Sequence, residues 1–257
     1  YPVAEKNRWL FVWMGDPAEA DGSLLPEYPF RMVDRGWFTI TGHQVVGCGY
    51  RLILDNLLDL SHLPYVHANT TGNTAVSENA ALTTEVEEDS VRISRWMEDI
   101  EPAPAFTRFG RFSGNIDRWQ VSQYLPPSFI NINNGADDAG SGARGVEQLT
   151  SQGKWGFVVY HSMTPESVTT THQFWAVSIP EHMLSDADRD AFLAQMNSVI
   201  PEDTVVYEAQ QVAIDLDPAA HNHDANPSGT LPIDRALLEM RRIIRRLHRT
   251  ELAAAAA

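Results

Sequence analysis

The chain has 257 residues, a formal net charge of −15 and 43% apolar residues, an ordinary globular composition with material for one large domain or two small ones. The negative charge disfavours a nucleic-acid partner, because a phosphate backbone repels such a surface. No apolar run approaches the ~18–20 residues of a membrane span. The single cysteine, Cys48, excludes an intrachain disulfide, which fits a cytoplasmic location, and excludes an iron–sulfur cluster held by this chain alone.

The N-terminal part alternates between strand and linker patterns before it changes to a helical period. Residues 7–15 are bulky and aromatic and end at a Gly-Asp-Pro turn, which predicts one strand. Residues 17–35 contain prolines and small polar residues and are predicted to form a linker. Alternation over 37–49 predicts another strand. Leucines at helical spacing then predict a helix over 51–63, which Pro64 should break or bend.

The middle of the chain is rich in Val, Ile, Thr and aromatic residues, in segments separated by turn residues. These segments predict a run of antiparallel strands over 81–97 (with a turn at Glu88-Asp89), 117–125, 128–134, 155–164 and 168–179. Helices are predicted afterwards over 186–199 with Ser185 as the N-cap, over 202–215 from Pro201, and over 232–252. The order of helix, sheet and helices predicts an α+β fold.

The segment from Asp59 to His67 has the composition of a metal site. His62 and His67 lie five residues apart, and Asp59 precedes His62 by three, so Asp59 and His62 would share one face of a helix. On a continuous helix His67 would point roughly 140° away from His62. A helix that ends at Pro64 would let both imidazoles face one point. Two histidines and a carboxylate on one face of an iron leave positions open for dioxygen, as in the facial triad of non-haem iron oxygenases.

The same three residues allow other interpretations. Two histidines near a helix end are commonly surface or core residues without a ligand. Zinc hydrolases also bind their metal through two histidines and a carboxylate. The spacing alone therefore leaves both the metal and the reaction open.

Several motifs resemble the catalytic domain of Rieske non-haem iron oxygenases, in particular the vanillate and dicamba O-demethylase subgroup. The string Asn56, Asp59, His62 and His67 matches the mononuclear-iron motif N-x-x-D-x-x-H-x-x-x-x-H. The string WLFVWMGDP near the N-terminus resembles the end of the family's Rieske domain, and CGYRLILDNL resembles the entry to its iron helix. The strings DRWQ at 117–120, PPS at 126–128 and MTPE at 163–166 occur in the vanillate-type enzymes, so the resemblance covers nearly the whole chain.

The resemblance implies a ligand set and two catalytic residues. It implies that Fe(II) is bound by His62, His67 and Asp203, the last preferred to its acidic neighbours Glu202 and Glu208 in the string EDTVVYE. The alternative for Asp203 is an acidic residue that stabilises a helix N-terminus.

Asn56 and Asp59 are implied to act in catalysis. Asp59 would bridge an iron-ligand histidine to a cluster-ligand histidine on the neighbouring subunit, and it would fix the imidazole tautomer. A local cap or salt bridge is the alternative role for Asp59.

Substrate contacts are predicted on the strands. His161 resembles a substrate-contacting histidine of the dicamba-type enzymes, with an ordinary strand histidine as the alternative. Asn131, Asn133 and Trp155 are candidates for the same cavity, although alternation does not say which face of a strand is inward. The remaining histidines are predicted to be structural: His43, His172, His182, His221, His223 and His248.

The resemblance also implies a domain organisation and a fold. Residues 1–16 correspond to the last strand of a Rieske domain, 17–35 to a linker and 36–257 to the mononuclear-iron catalytic domain. The sequence lacks the cluster motifs C-x-H and C-x-x-H. We therefore expect a longer native protein whose preceding domain holds a Rieske 2Fe-2S cluster that this chain does not bind. The expected fold is of the helix-grip (START-like) type, an antiparallel sheet around a long C-terminal helix.

The implied activity is that of a Rieske-type aromatic monooxygenase, which oxidises a substituted aromatic acid by O-demethylation. It would use O₂ and electrons from NAD(P)H through a reductase or ferredoxin, and it would act as a homotrimer without a nucleic-acid or membrane partner. One alternative is an aromatic-ring dihydroxylase on the same scaffold. A second alternative, from another class, is a metal-free helix-grip module that binds or carries a ligand.

Overall fold

The computed structural model describes residues 1–26, 33–78, 80–141, 154–217 and 231–255. His221, His223 and part of the predicted 17–35 linker lie outside these residues. The elements of the described part, in chain order, are β1 (Val3–Lys6), β2 (Trp9–Val12), β3 (Trp37–Val46), α1 (Tyr50–Leu58), α2 (Leu63–Val66), α3 (Ala75–Glu78), β4 (Ala80–Val86), β5 (Val91–Ile100), α4 (Pro104–Gly110), β6 (Ile116–Leu125), β7 (Phe129–Asp138), β8 (Trp155–Pro165), β9 (Thr171–Pro180), α5 (Arg189–Leu216) and α6 (Arg235–Ala255).

Seven of the strands form one antiparallel sheet in the order β3-β9-β8-β7-β6-β5-β4. The 28-residue helix α5 packs against β3 and α1, and the 21-residue helix α6 packs against β4, β5 and α1. The predicted α+β, helix-grip fold is therefore confirmed. No helix among the described residues is long and apolar enough to cross a membrane.

The central strands are buried on both faces. The inner face carries the main core, which includes Ile132 and Val159 and packs against the helices. The outer face carries a second cluster around Trp119, Phe129 and Tyr160. Because both faces are covered, the inward residues of β7 and β8 are not distinguished by polarity.

The strand predicted over 7–15 is present as β2 (Trp9–Val12), and it forms a hairpin with β1 (Val3–Lys6), which the sequence analysis did not predict. The chain turns at Asn7 and Arg8, whose φ angles are 53° and 67°, and β1 pairs with β2. Two positive φ angles give the turn that matches the twist of two antiparallel strands. Trp9 and Phe11 of β2 then pack on Phe129 at the outer face of the sheet.

The helix predicted over 51–63 ends earlier, at Leu58, so Asp59 and His62 do not share a helix face. The Asp59 carboxylate accepts hydrogen bonds from the backbone and hydroxyl of Ser61, which turns the chain out of the helix. A second short helix, α2, begins after His62 with Pro64 in its first turn. Proline suits that position, because a first-turn residue needs no backbone N–H donor.

Helix α5 is continuous from Arg189 to Leu216, so the prediction of two helices separated at Pro201 is wrong. An interior proline costs about 3 kcal/mol, because it removes one hydrogen bond and clashes with the preceding turn. The buried stripe of the helix explains why it continues. This stripe recurs every three or four residues and consists of Phe192, Met196, Ile200, Asp203, Tyr207 and Gln211.

Candidate metal centre

Three side chains from two distant parts of the chain meet beneath the sheet. His62 and His67 flank α2, and Asp203 lies on the buried stripe of α5. One ligand atom of each lies within 4.8 Å of the others. The Asp203 Oδ1 atom is 3.6 Å from His62 Nε2 and 3.2 Å from His67 Nε2. His67 is 3% exposed and Asp203 5%, so these two groups are buried, while His62 is half-buried.

Both histidines present the same ring nitrogen to Asp203, because the other nitrogen is already bonded. His62 Nδ1 lies 2.5 Å from the backbone carbonyl of Asp59, and His67 Nδ1 lies 2.6 Å from the carboxylate of Glu202. A carbonyl and a carboxylate only accept hydrogen bonds, so each Nδ1 carries a hydrogen and donates it. Both Nε2 lone pairs are then directed at the Asp203 carboxylate.

This donor set fits a divalent metal ion. Two nitrogen lone pairs and a carboxylate oxygen are all acceptors, so they cannot bond to one another unless a cation or an added proton lies between them. Burial lowers the pKa of His62 more than the charge of Asp203 raises it. Burial also lowers the pKa of His67, but Asp203 and Glu202 together raise it above its ordinary value. A metal ion would satisfy all three groups without protonating either ring.

Polar neighbours hold the Asp203 and His67 side chains. Asn56 of α1 donates from Nδ2 to Asp203 Oδ1 at 3.3 Å. Thr70 donates from its hydroxyl to Glu202 Oε2 at 3.0 Å, on the same oxygen that accepts from His67. Groups of this kind orient metal ligands and fix their tautomers. Glu202 therefore lies beside the cluster as a partner of His67, whereas Asp203 faces both rings.

Asp59 contacts the cluster through its backbone rather than its carboxylate. The carbonyl meets His62, while the carboxylate accepts from Ser61 at 2.8 Å and 2.5 Å. Arg95, which is 2% exposed, donates to the carbonyl of Leu60 in the same turn. The contact between the Asp59 carboxylate and Ser61 is the local cap that the sequence analysis gave as the alternative role for Asp59. Its bridging role to a neighbouring subunit stays a prediction.

A cavity of about 70 Å³ opens beside the three side chains. His161 of β8 lines it, and burial lowers the pKa of this histidine to about 4, so it is neutral near pH 7. Most of the wall is apolar, and further polar groups come from Gln120 and Asn134. The apolar lining residues include Leu57, Leu60, Leu63, Ile132, Phe157, Val159, Val177, Met196, Val199 and Ile200.

The other predicted substrate contacts are not among the residues that line the cavity. Asn131 pairs with Tyr160 of the outer cluster, and Asn133 accepts a hydrogen bond from outer-face Trp119, so both lie on the outer face of β7. Trp155 lies on the inner side, where its ring packs against Phe106, Phe157 and Phe192, and it does not line the cavity. Asn134, the next residue along β7, was missed because strand polarity did not reveal the register.

The predicted structural histidines within the described residues lie apart from this cluster. His43 and His172 contact each other on the outer face of β3 and β9. His182 follows β9 in a short 3₁₀ turn, and His248 lies on α6.

The chain matches one protein family, described as the vanillate O-demethylase oxygenase C-terminal domain, over residues 46–250. A vanillate O-demethylase oxygenase subunit from a Pseudomonas species is 33% identical across the whole chain, which covers 76% of that relative. A toluene-4-sulfonate monooxygenase iron–sulfur subunit from Comamonas testosteroni is 33% identical over 68% of this chain and 50% of its own length.

A crystal structure of dicamba monooxygenase bound to dicamba superposes with a TM-score of 0.80 at 25% identity, over 98% of this chain and 70% of that one. The dicamba O-demethylase oxygenase component of Stenotrophomonas maltophilia is 28% identical over 81% of this chain and 59% of its own length. The chain therefore spans between half and about three quarters of these curated relatives. These relatives are oxygenase components, and this chain belongs to the vanillate O-demethylase oxygenase C-terminal domain family.

Proposed function

We propose that this chain is the mononuclear-iron catalytic domain of a Rieske-type aromatic oxygenase, with His62, His67 and Asp203 as the iron ligands. The observation that carries the proposal is the convergence of two Nε2 lone pairs and one carboxylate within 4.8 Å. A second observation supports it, because each Nδ1 is bonded to an acceptor and the rings cannot present their other nitrogen. Iron bound there would supply the activation of dioxygen that two histidines and one carboxylate support.

The residues around this site have separable roles. Asn56 and Glu202 hold a carboxylate and an imidazole in place, while the apolar wall excludes water from the reacting groups. Asp59 is proposed to carry electrons to the site from a Rieske 2Fe-2S cluster on a neighbouring subunit. Its position supports that role, because its backbone already bonds His62 and its carboxylate lies in the same turn. NAD(P)H would supply these electrons through a reductase or ferredoxin in the cytoplasm.

The proposed substrate is an aromatic acid that carries a methoxy group. Apolar residues such as Ile132, Phe157 and Val159 suit an aromatic ring, while His161 and Asn134 offer polar contacts to an acid or ether oxygen. The names of the vanillate and dicamba O-demethylase relatives point to the same class. Hydroxylation of the methyl carbon gives a hemiacetal, which collapses to a phenol and formaldehyde.

Turnover by the complete oxygenase tests this proposal. The protein is supplied with its reductase, NADH and O₂, together with a panel of methoxy-, chloro- and unsubstituted aromatic acids. We expect formaldehyde and the matching phenol in equal amounts from a methoxy acid. A cis-dihydrodiol without formaldehyde would instead establish the ring dihydroxylase. A protein that binds aromatic acids but contains no stoichiometric iron would establish the metal-free binding module.

The complete oxygenase is also proposed to be a cyclic homotrimer. Head-to-tail contacts close a ring and bring the cluster of one subunit to Asp59 of the next. Light scattering on the active enzyme should give three times the subunit mass. A fully active monomer would contradict both the assembly and the route through Asp59.

A further inference from the structure

A line of hydrogen bonds connects helix α5 to the cavity histidine through two glutamines. Gln44 of β3 and Gln173 of β9 are direct partners in the sheet register. Gln44 Nε2 lies 2.7 Å from Gln173 Oε1 and 3.0 Å from the hydroxyl of Thr204. Gln173 Nε2 lies 3.4 Å from His161 Nδ1. Gln173 is fully buried, so water does not replace these contacts.

The direction of these hydrogen bonds follows from Thr204, at the end of the line on helix α5. The Thr204 hydroxyl donates to the backbone carbonyl of Ile200 at 3.1 Å, so its oxygen accepts from Gln44. The Gln44 amide nitrogen therefore donates both to the Thr204 oxygen and to Gln173 Oε1. Gln173 must then turn its own amide nitrogen toward His161. A donor faces His161 Nδ1, so this nitrogen keeps its lone pair and the ring hydrogen sits on Nε2.

We infer that Gln44 and Gln173 are positioning residues that hold His161 as the Nε2–H tautomer, so that the cavity presents a neutral N–H donor to an acceptor oxygen of its ligand. The cavity-facing nitrogen is Nε2, because Nδ1 is taken by Gln173 and the ring lines the cavity. Burial of His161 supports the neutral form, since it lowers the pKa to about 4. The identity of the ligand rests on the proposed function, whereas the tautomer does not.

The same arrangement separates the roles of the three cavity histidines. His62 and His67 each have an acceptor on Nδ1, so they present a bare Nε2 lone pair that can bind a metal. His161 has a donor on Nδ1, so its Nε2 carries a hydrogen and has no lone pair for a metal. Gln173 thus keeps His161 out of the coordination sphere and leaves it for the substrate. A carboxylate is the acceptor that gains most from an N–H donor in an apolar cavity.

Nitrogen NMR of histidine-labelled, metal-free protein tests the tautomer directly. The His161 signals are assigned by their loss in His161→Gln. We expect an unprotonated Nδ1 and a protonated Nε2 in the wild-type protein. A hydrogen on Nδ1 of the wild-type ring would overturn the inference.

Two variants should invert the tautomer by different routes. In Gln44→Glu the new carboxylate only accepts, so Gln173 turns its amide nitrogen toward residue 44 and its Oε1 toward His161, which moves the hydrogen to Nδ1. In Gln173→Glu the carboxylate faces Nδ1 directly, with the same result. Val45→Glu is the matched control, because it adds the same charge one residue along β3 at an exposed position. An unchanged tautomer in both folded glutamine variants, or an inverted one in Val45→Glu, would overturn the relay.

Benzoate binding, measured by calorimetry, then tests the recognition step. Loss of the N–H donor in Gln44→Glu should weaken benzoate binding by about 10-fold, the low end for a hydrogen bond to a charged group. Equal affinity in a variant with an inverted tautomer would overturn the role of His161 in recognition. A wild-type protein with the expected tautomer but no benzoate binding would contradict the proposed substrate class and leave the relay standing.

Discussion

Two pairs of histidines in this protein have the same ring separation and different chemistry. The centroids of His62 and His67 are 5.2 Å apart, and so are those of His43 and His172. The first pair is edge-on and lies under the sheet, with Asp203 between the two Nε2 atoms. The second pair is stacked on the outer face, where His43 Nε2 and His172 Nδ1 hydrogen-bond to each other at 3.0 Å.

The difference teaches that proximity of imidazoles does not make a metal site. In the outer pair one nitrogen of each ring is hydrogen-bonded to the other ring. Among the described residues this pair does not form a three-ligand cluster with a carboxylate. In the inner pair acceptors outside the cluster take both Nδ1 hydrogens and free both Nε2 lone pairs.

The largest effect is expected from Asp203→Asn, which removes the carboxylate that both inner histidines face. Stoichiometric iron should be lost, a change beyond the ~100-fold upper end of losses caused by residues that only support a ligand. Anaerobic Fe(II) titration with metal analysis measures it. Glu208→Gln is the control on the same helix, since Glu208 bonds the backbone of Gly47 and lies outside the cluster. Equal iron in Asp203→Asn and wild type would remove Asp203 from the ligand set.

The next effect concerns the dependence of stability on pH. Burial holds the pKa of His161 at about 4 in the folded protein, against about 6.5 when the chain is unfolded. The contribution of neutral His161 to the free energy of unfolding is fully present above pH 6.5. It is lost as the pH falls toward 4, because over this range the unfolded chain binds a proton that the folded protein does not. The loss is about 3 kcal/mol over that range, at 1.36 kcal/mol per pH unit.

Urea unfolding at pH 7 and at pH 4.5 measures this loss. The free energy of unfolding should fall less steeply in His161→Gln, because only the wild type has this proton to take up. His62 and the other histidines titrate in both proteins, so they cancel in the comparison. Identical pH profiles would show that His161 is not buried in the neutral form.

A smaller effect is expected from Glu202→Gln, which keeps the shape of the group on His67 Nδ1 but removes its charge. Metal affinity should fall between 10-fold and 100-fold, the range for lost partners of metal-binding histidines. Co(II) titration followed by its visible spectrum gives the dissociation constant. Thr70→Val removes only the hydroxyl that bonds Glu202 and should have the weaker effect. The reverse order would show that Glu202 does not act through its charge on His67.

The smallest effect on the metal site is expected from Asp59→Asn in the proposed Rieske oxygenase, where turnover should fall selectively. The backbone carbonyl that orients His62 is unchanged, and asparagine can still accept from Ser61, so iron should remain bound. Product formation should fall by at least about 10-fold while the reductase still reduces the Rieske cluster. Iron content, cluster reduction and product are measured on one preparation. If iron content falls together with product formation, Asp59 supports the metal site structurally and does not act in electron transfer alone.

The sequence predicted which side chains come together better than it predicted their local geometry. The spacing of His62 and His67 indicated convergence, but for an incomplete reason. The helix ends at Leu58 rather than at Pro64, because the Asp59 carboxylate turns the chain through its bonds to Ser61. Those contacts depend on a side-chain conformation that periodicity does not encode.

The strands and α5 show where tertiary packing overrides local pattern. Asn131, Asn133 and Asn134 are alike in polarity, and only the pairing of β7 with its neighbours places Asn134 inward. Pro201 suggested a helix start, yet the buried stripe continues through it. That stripe holds Asp203 at an apolar spacing, a signal that could have supported its assignment from sequence alone.

Anaerobic Fe(II) titration of three proteins tests the central contrast most directly. The wild type should bind one iron per chain, His43→Ala/His172→Ala should bind the same amount, and His62→Ala/His67→Ala should bind none. Circular dichroism on each variant confirms that the fold is intact. Stoichiometric iron in folded His62→Ala/His67→Ala, or its loss in folded His43→Ala/His172→Ala, would contradict the assignment of the inner pair and Asp203 as the metal site.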